Sequence, residues 1–485
     1  MLKILKMAIT NKVVLFVLFG YATYFIQLIN SLFIAVYLGP YYLGIWGFIS
    51  LVIQYISLAN FGISNSTNAI ASINRHKEWY LSKLLGTAFG MLIGLSILVL
   101  FFFLFNRMFN INIGEKYNFV EFLPFILLIA IFGYFNTLML NFLRIFGKLY
   151  EIALSQSLFP ILVLLLITHL KGKDLLWGIM VVNCFAVIFS FCMFLIRCPV
   201  KFRISLITRL IKKIQRKGFH LFISNTAFYL ILLSTRSFVS AFYGVAEFGY
   251  FTFSFLLSNS ILLLLESLSF LIYPKMLNRF ATGTPKKIHI LINNIRDTYI
   301  TVSHILIHAA ILVFPIFLVV FPQYETSSSA FKMISLTIVL VTNSFCNSGL
   351  LVAKNKENKL GFLALIVLFV NVIITFVTVK YLRISFSFVI FSTMLSYLIF
   401  NYWIGVISLN LLNLNNNFIC VIREVFPFKL FLPYSVSVIF VFLNVKNIFF
   451  ILPFILILFM NIKSIFNVFS ISRKLLNNSE LVLFN

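Results

Sequence analysis

Acidic side chains are scarce in this chain: 12 aspartates and glutamates stand against 38 lysines and arginines, and charge of both signs makes up only 10% of 485 residues. A soluble domain carries about 25% charged residues, so a water-facing surface of ordinary polarity cannot be built from this composition. Cysteine is equally sparse. Cys184, Cys192, Cys198, Cys346 and Cys420 have no Cys-x-x-Cys spacing and no histidine cluster nearby. That excludes a disulfide framework and a zinc site of the usual spacing, and reads them as small apolar packing residues. The chain has no Gly-x-x-x-x-Gly-Lys-Ser/Thr, hence no P-loop for ATP. It has no nucleic-acid-binding motif either, and its net charge of +26 is spread over short loops instead of one polar face. No metal, cofactor or nucleic acid is expected.

What is present is apolar. Hydrophobic residues make up 61% of the chain, in long continuous runs, and the mean hydropathy is +1.06. Such a surface needs lipid as its solvent, and continuous runs of about 20 residues specify membrane helices. About fourteen are predicted, near 13–38, 44–70, 84–106, 121–143, 151–170, 174–197, 219–243, 249–273, 299–321, 331–353, 360–380, 385–409, 429–445 and 447–466. The run after Lys3, Lys6 and Lys12 is too long for a signal-peptide core and reads as an uncleaved first helix. With the N-terminus inside, the inner segments hold 29 lysines and arginines and the outer segments eight. The positive-inside rule then places both termini in the cytoplasm.

The expected class is an all-α polytopic membrane protein of two pseudo-symmetric six-helix bundles plus a C-terminal helix pair. The expected divisions are an N-terminal bundle over 1–197, a basic cytoplasmic linker over 198–218, a second bundle over 219–410, and a helix pair with its tail over 411–485. The linker reads as an amphipathic helix on the inner leaflet, where its basic residues meet anionic headgroups. An internal repeat supports the division. Gly39 and Gly44 are spaced like Gly244 and Gly249, and Asn74-Arg75 like Asn278-Arg279, at offsets of 205 and 204. Two parallel repeats without a large extramembrane domain describe a transporter, with its path between the bundles.

Intramembrane charge is costly and usually functional. Arg236 is the cation left inside a predicted span and a candidate for binding anionic substrate oxygens, against a structural reading as a snorkelling or carbonyl-bonded arginine. Glu266 on the eighth helix, and His304 and His308 one turn apart on one face of the ninth, are candidates for ion coupling; a protonated hydrogen-bonding carboxyl and packed polar histidines are the alternatives. Gln54, Asn60, Asn65 and Asn68 form a string that suggests a wet, sugar-binding face, although intramembrane amides also bond helices together.

The stretch Tyr37-Leu38-Gly39-Pro40-Tyr41-Tyr42-Leu43-Gly44-Ile45-Trp46, followed by Leu58-Ala59-Asn60-Phe61-Gly62-Ile63-Ser64, resembles the opening of Wzx-type polysaccharide biosynthesis proteins of the MOP exporter superfamily. The turn from Arg144 to Lys148 is similar to that family's basic turn after its fourth helix. The resemblance implies a non-enzymatic flippase of the bacterial inner membrane. It would carry an undecaprenyl-pyrophosphate-linked oligosaccharide, an O-antigen or similar lipopolysaccharide unit, to the periplasmic leaflet by alternating access. Its partners would be that polyprenyl-linked substrate, membrane lipids and other polysaccharide assembly proteins. A MATE-like multidrug exporter is the nearest alternative. A membrane-embedded polymerase or glycosyltransferase is the alternative from another class.

Overall fold

A computed structural model describes residues 12–108, 114–263 and 266–466, and among these every regular element is helical. Nine of the described helices are long and apolar enough to cross a membrane, or ten if one bent pair counts as a single span. The first, Phe19–Leu58, has 40 residues. At 1.5 Å per residue it would measure about 60 Å, twice the hydrocarbon thickness. It is two spans: α1 (Lys12–Leu58) breaks at Gly39, whose φ of 70° and ψ of 167° are not helical, just before Pro40. The chain folds back there. Asn30 before the break donates to the Pro160 carbonyl of α5 (Leu149–Ile167) at 2.7 Å, and Ile56 after it accepts from Tyr134 of α4 (Phe119–Ile145) at 2.5 Å.

By packing, the described residues fall into two units. One comprises those up to Thr226 together with Gly244–Gly249; the other comprises Ala227–Tyr243 and those from Tyr250 onward. In the first unit the glycine landmarks of the repeat meet each other. A Cβ on Gly44 would stand 2.0 Å from the Val245 carbonyl oxygen, and one on Gly249 would stand 1.8 Å from that of Pro40. The contact is reciprocal: the residue after each first glycine touches the second glycine of the other copy. Only hydrogen fits between backbones this close. These motifs are therefore a packing device as well as a turn signal.

The second predicted helix is also interrupted. A turn separates Leu58 from α2 (Ile63–Ile73), with Phe61 and Gly62 both at positive φ. α3 (Glu78–Met108) and α6 (Gly172–Ile196) complete this set. The predicted linker differs from expectation. Residues 198–207 are not helical, and they lie along α3, where Ser205 N–H donates to the Gly86 carbonyl at 3.3 Å. A Cβ on Gly86 would strike the Arg203 carbonyl at 2.0 Å. The helix that follows, α7 (Thr208–Phe242), runs without interruption into the seventh predicted span. Gly86 and Gly90 of α3, the second with Leu206 2.8 Å from where its Cβ would stand, make a docking groove that hydropathy alone cannot reveal.

In the second unit, α8 (Val245–Leu263) and α9 (Glu266–Thr282) are followed by α10 (Pro285–Ile295), a π-helical turn (Arg296–Ile300) and α11 (Thr301–Val320). The tenth predicted span is split at Ser344 into α12 (Ser328–Asn343) and α13 (Phe345–Ala353). The break frees the Leu340 carbonyl, and Asn401 of α15 (Phe391–Leu411) fills it at 3.0 Å. α14 (Glu357–Lys380) precedes α15.

The C-terminal pair is bolted to this unit. α16 (Phe418–Val425) meets α17 (Phe428–Phe442) at an 80° bend, and α18 (Ile451–Met460) follows. Pro433 has no N–H, so the Lys429 carbonyl one turn earlier loses its helical donor. Asn461 supplies the replacement at 2.9 Å. At the same end Arg296 pairs with Glu424 at 3.1 Å and Asp297 with Lys429 at 2.7 Å. At the other end Lys332 bonds Asn447 and lies 4.6 Å from the Phe450 ring centre. Lys332, at the start of the tenth predicted span, is only 6% exposed, a buried cation like Arg236 on α7.

Candidate functional site

Arg236 lies on α7 and is 1% exposed. Its guanidinium sits 4.3 Å from the ring centre of Phe255 on α8, a cation–π contact that supports a cation withdrawn from water. The neighbouring residue begins a network that sequence reasoning missed. Asn371 of α14, fully buried, donates to the Ile231 carbonyl at 2.9 Å, Ser234 Oγ at 3.0 Å and Thr235 Oγ1 at 3.2 Å, and accepts from Ser396 at 3.1 Å. Thr235 meets Thr393 at 2.6 Å, and Thr375 meets Ser392 at 2.7 Å. Seven neutral side chains from α7, α14 and α15 thus satisfy one another. A satisfied buried network rigidifies the helices it joins. It fixes the segment of α7 that carries Arg236. Asn371 gives no charge signal in the sequence, and each serine or threonine is individually ordinary; the four-residue spacings 371–375 and 392–396 were the available clue.

The amide string on the first unit does not form one stripe. Asn60 uses its side chain on the turn: Oδ1 accepts from Gly62 N–H at 2.9 Å and Nδ2 donates to the Ser57 carbonyl at 3.1 Å. Gln54 is half-buried before that turn, while Asn65 is exposed and Asn68 half-buried beyond it on α2. Ser72 bonds the Asn68 carbonyl, so 65, 68 and 72 share the less buried side of a helix whose Ser64, Thr67 and Ala71 face inward.

Glu266 opens α9, and its side chain lies outside those described. The histidines are described. His304 and His308 on α11 are 1% and 2% exposed, with ring centres 6.4 Å apart. His304 Nε2 meets Asn343 Oδ1 at 3.1 Å, at the end of α12 where the span breaks. The ring of Tyr434, on α17, stands edge-on to His304 at 6.0 Å. Among the described residues no group of three or more His, Cys, Asp or Glu side chains is arranged to hold a metal ion.

The described residues form an all-helical membrane fold of two packed units, with a hairpin turn at Gly39, an interruption at Ser344 and a π turn directly before α11. Solved structures give the particulars. An inward closed lipid II flippase, MurJ, matches with a TM-score of 0.68 at 15% identity, covering 93% of this chain and 98% of the flippase. An inward-facing multidrug resistance MATE transporter of the MOP superfamily matches at 0.65 and 15%, covering 81% of this chain and 95% of that one. A MOP superfamily transporter from Pyrococcus furiosus, described as having a binding pocket of reverse polarity, matches at 0.50 and 15%, covering 83% and 96%. At this identity the likeness defines the fold. No family profile and no curated protein sequence matches the chain.

Proposed function

We propose that this chain is a flippase that carries an undecaprenyl-pyrophosphate-linked oligosaccharide from the cytoplasmic to the periplasmic leaflet of a bacterial inner membrane, with both termini cytoplasmic. The observation that carries this reading is the extent of the fold. The MATE structures account for 81–83% of the chain and the lipid II flippase for 93%. The excess over the MATE fold is about the length of the C-terminal pair, which is built into the second unit by Arg296, Asp297 and Lys332. Charge points the same way. A carrier of cationic drugs wants acids in its path, whereas this chain is basic by 26 charges and a pyrophosphate wants cations. The alternating-access step needs spans that bend, and the turn after Leu58, inside the second predicted span, supplies one. Arg236 belongs to this reading only in a conformation that uncovers it, since here the guanidinium is packed on Phe255.

The test uses cells lacking the gene, with the oligosaccharide-building pathway intact. The expected result is lipid-linked units accumulating on the cytoplasmic face, with no single unit reaching the surface. Single units outside without polymer would move the protein to polymerisation and overturn the proposal.

A further inference from the structure

The segment that joins α6 to α7 presents its charges outward. α6 ends at Ile196, and Pro199 holds the residue before it out of the helical region, so the chain continues without helix to Ile207. Side chains alternate along the docked stretch. Val200 is buried, and Phe202 packs on Phe89 of α3 with ring centres 4.7 Å apart, while Lys201 and Arg203 are exposed. Contact with Gly86 and Gly90 fixes the segment in this orientation.

The surface so made is basic throughout. The eight lysines and arginines from Arg197 to Lys217 are all exposed, and no acid stands among them. On α3, the segment and α7 together, Glu78 is the single acidic residue. The ion pairs of the described residues all lie elsewhere. In the second unit, by contrast, Arg296 is answered by Glu424, Lys429 by Asp297 and Lys354 by the Ala281 carbonyl. Membrane topology asks for a number of cations on one side; it does not ask that they stand unpaired in one patch.

Aromatic and aliphatic neighbours set the depth of the patch. Trp79, at the start of α3, is 71% exposed, and Lys83 one turn on lies 3.9 Å from its ring centre. Lys213 of α7 donates to the Tyr80 hydroxyl at 3.0 Å. Ile204 and Leu206 are exposed beside the cations. Tryptophan and tyrosine gather where hydrocarbon gives way to headgroups. Lysine and arginine suit the same depth, with their stems on apolar surface and their charges among phosphates. An acidic protein would match the charge and leave these apolar side chains unmatched, whereas a bilayer edge matches both.

We propose that the edge of the first unit built from residues 198–217 and the first turns of α3 is a binding surface for anionic phospholipid headgroups, with cations of the segment and of α7 answering the phosphates. The leaflet is the inner one in the topology proposed above. The binding chemistry does not depend on the flippase reading.

The experiment titrates the full chain in detergent with phosphatidylglycerol or with phosphatidylcholine, read by melting temperature and by lipid adducts in native mass spectrometry. Phosphatidylglycerol should bind and raise the melting temperature, phosphatidylcholine should do neither, and the effect should fade as salt is raised. Lys201→Gln combined with Arg203→Gln and Lys212→Gln should weaken phosphatidylglycerol binding at least about tenfold. The lipid-free melting temperature should hold, because all three side chains are exposed. Lys201→Arg with Lys212→Arg, which keeps the charge, should retain binding. Lys287→Gln with Lys356→Gln and Lys359→Gln removes the same charge from exposed positions of the second unit and should leave binding unchanged. Equal losses in the two triple variants would reduce the effect to net charge and overturn the surface, as would an equal response to both lipids or none to either. Inorganic phosphate that protects as well as the lipid would assign the patch to a free anion and overturn it too.

Discussion

A guanidinium stacked on a phenylalanine and 1% exposed can serve packing or ligand binding, and one substitution series separates the two at Arg236. If the group only fills space, Arg236→Ala loses folded protein. If it takes a phosphate, the alanine variant folds and fails to export. We expect folded Arg236→Ala with export lowered at least about tenfold, equivalent to about 1.4 kcal/mol of lost substrate interaction. Arg236→Lys should keep part of the activity, since charge remains while the planar fork is lost. Membrane abundance, detergent melting temperature and surface glycan are measured together. Full export by the alanine variant at normal abundance removes the residue from the site. Asn371 makes the complementary point. Four polar partners in a dry interior make it a hub, yet it carries no charge and stood out in no composition count.

Helices can be found from hydropathy, but their interruptions depend on partners far along the chain. The runs, the basic loops and the Gly39/Gly244 repeat were readable because each is a local pattern of residue type. The split at Ser344 was not, because what stabilises it is Asn401 bonding Leu340 and His304 bonding Asn343. The docked linker was missed for a similar reason: Gly86 is a groove only once 198–207 lies against it. Of the candidate site, the histidines were legible as a pair. Asn60 read as a lining residue, whereas its amide shapes a turn, since both functions favour the same side chain. The repeat glycines allow a direct test at this scale. Gly249→Ala drives a methyl into the Pro40 carbonyl and Gly44→Ala into that of Val245. Overpacking against backbone costs about 1–3 kcal/mol or more. Gly94, also helical, has open space where a Cβ would go, so Gly94→Ala should be neutral or stabilising by up to about 1 kcal/mol. Thermal unfolding in detergent should place both repeat variants well below Gly94→Ala. Equal melting temperatures would mean that the reciprocal approach is not a structural requirement.

For the molecule as a whole, the question is whether the C-terminal pair is an appendage or a component. Its attachment is not a simple apolar contact. Removing 411–485 strips Glu424 from Arg296, Lys429 from Asp297, Asn447 from Lys332 and Tyr434 from His304. Lys332 would be left buried without its partner, while Arg296 and Asp297, half-buried, would keep only each other at 3.5 Å. The exposed pairs contribute little, about 0–1 kcal/mol each. Lys332 is different, because a buried cation stripped of its partner costs about 3–5 kcal/mol. The chain shortened after Asn410 should therefore fail to give monodisperse protein in detergent. Adding Lys332→Met to the truncation should recover part of the folded fraction, since it removes the largest of those penalties while keeping the side-chain volume. Size-exclusion profiles of the two truncated chains read the outcome. A truncated chain that is monodisperse without Lys332→Met would show the twelve-helix portion to be self-sufficient. The last pair would then be an addition to the MATE-like fold, and the argument from fold extent to a lipid-linked substrate would lose its structural footing.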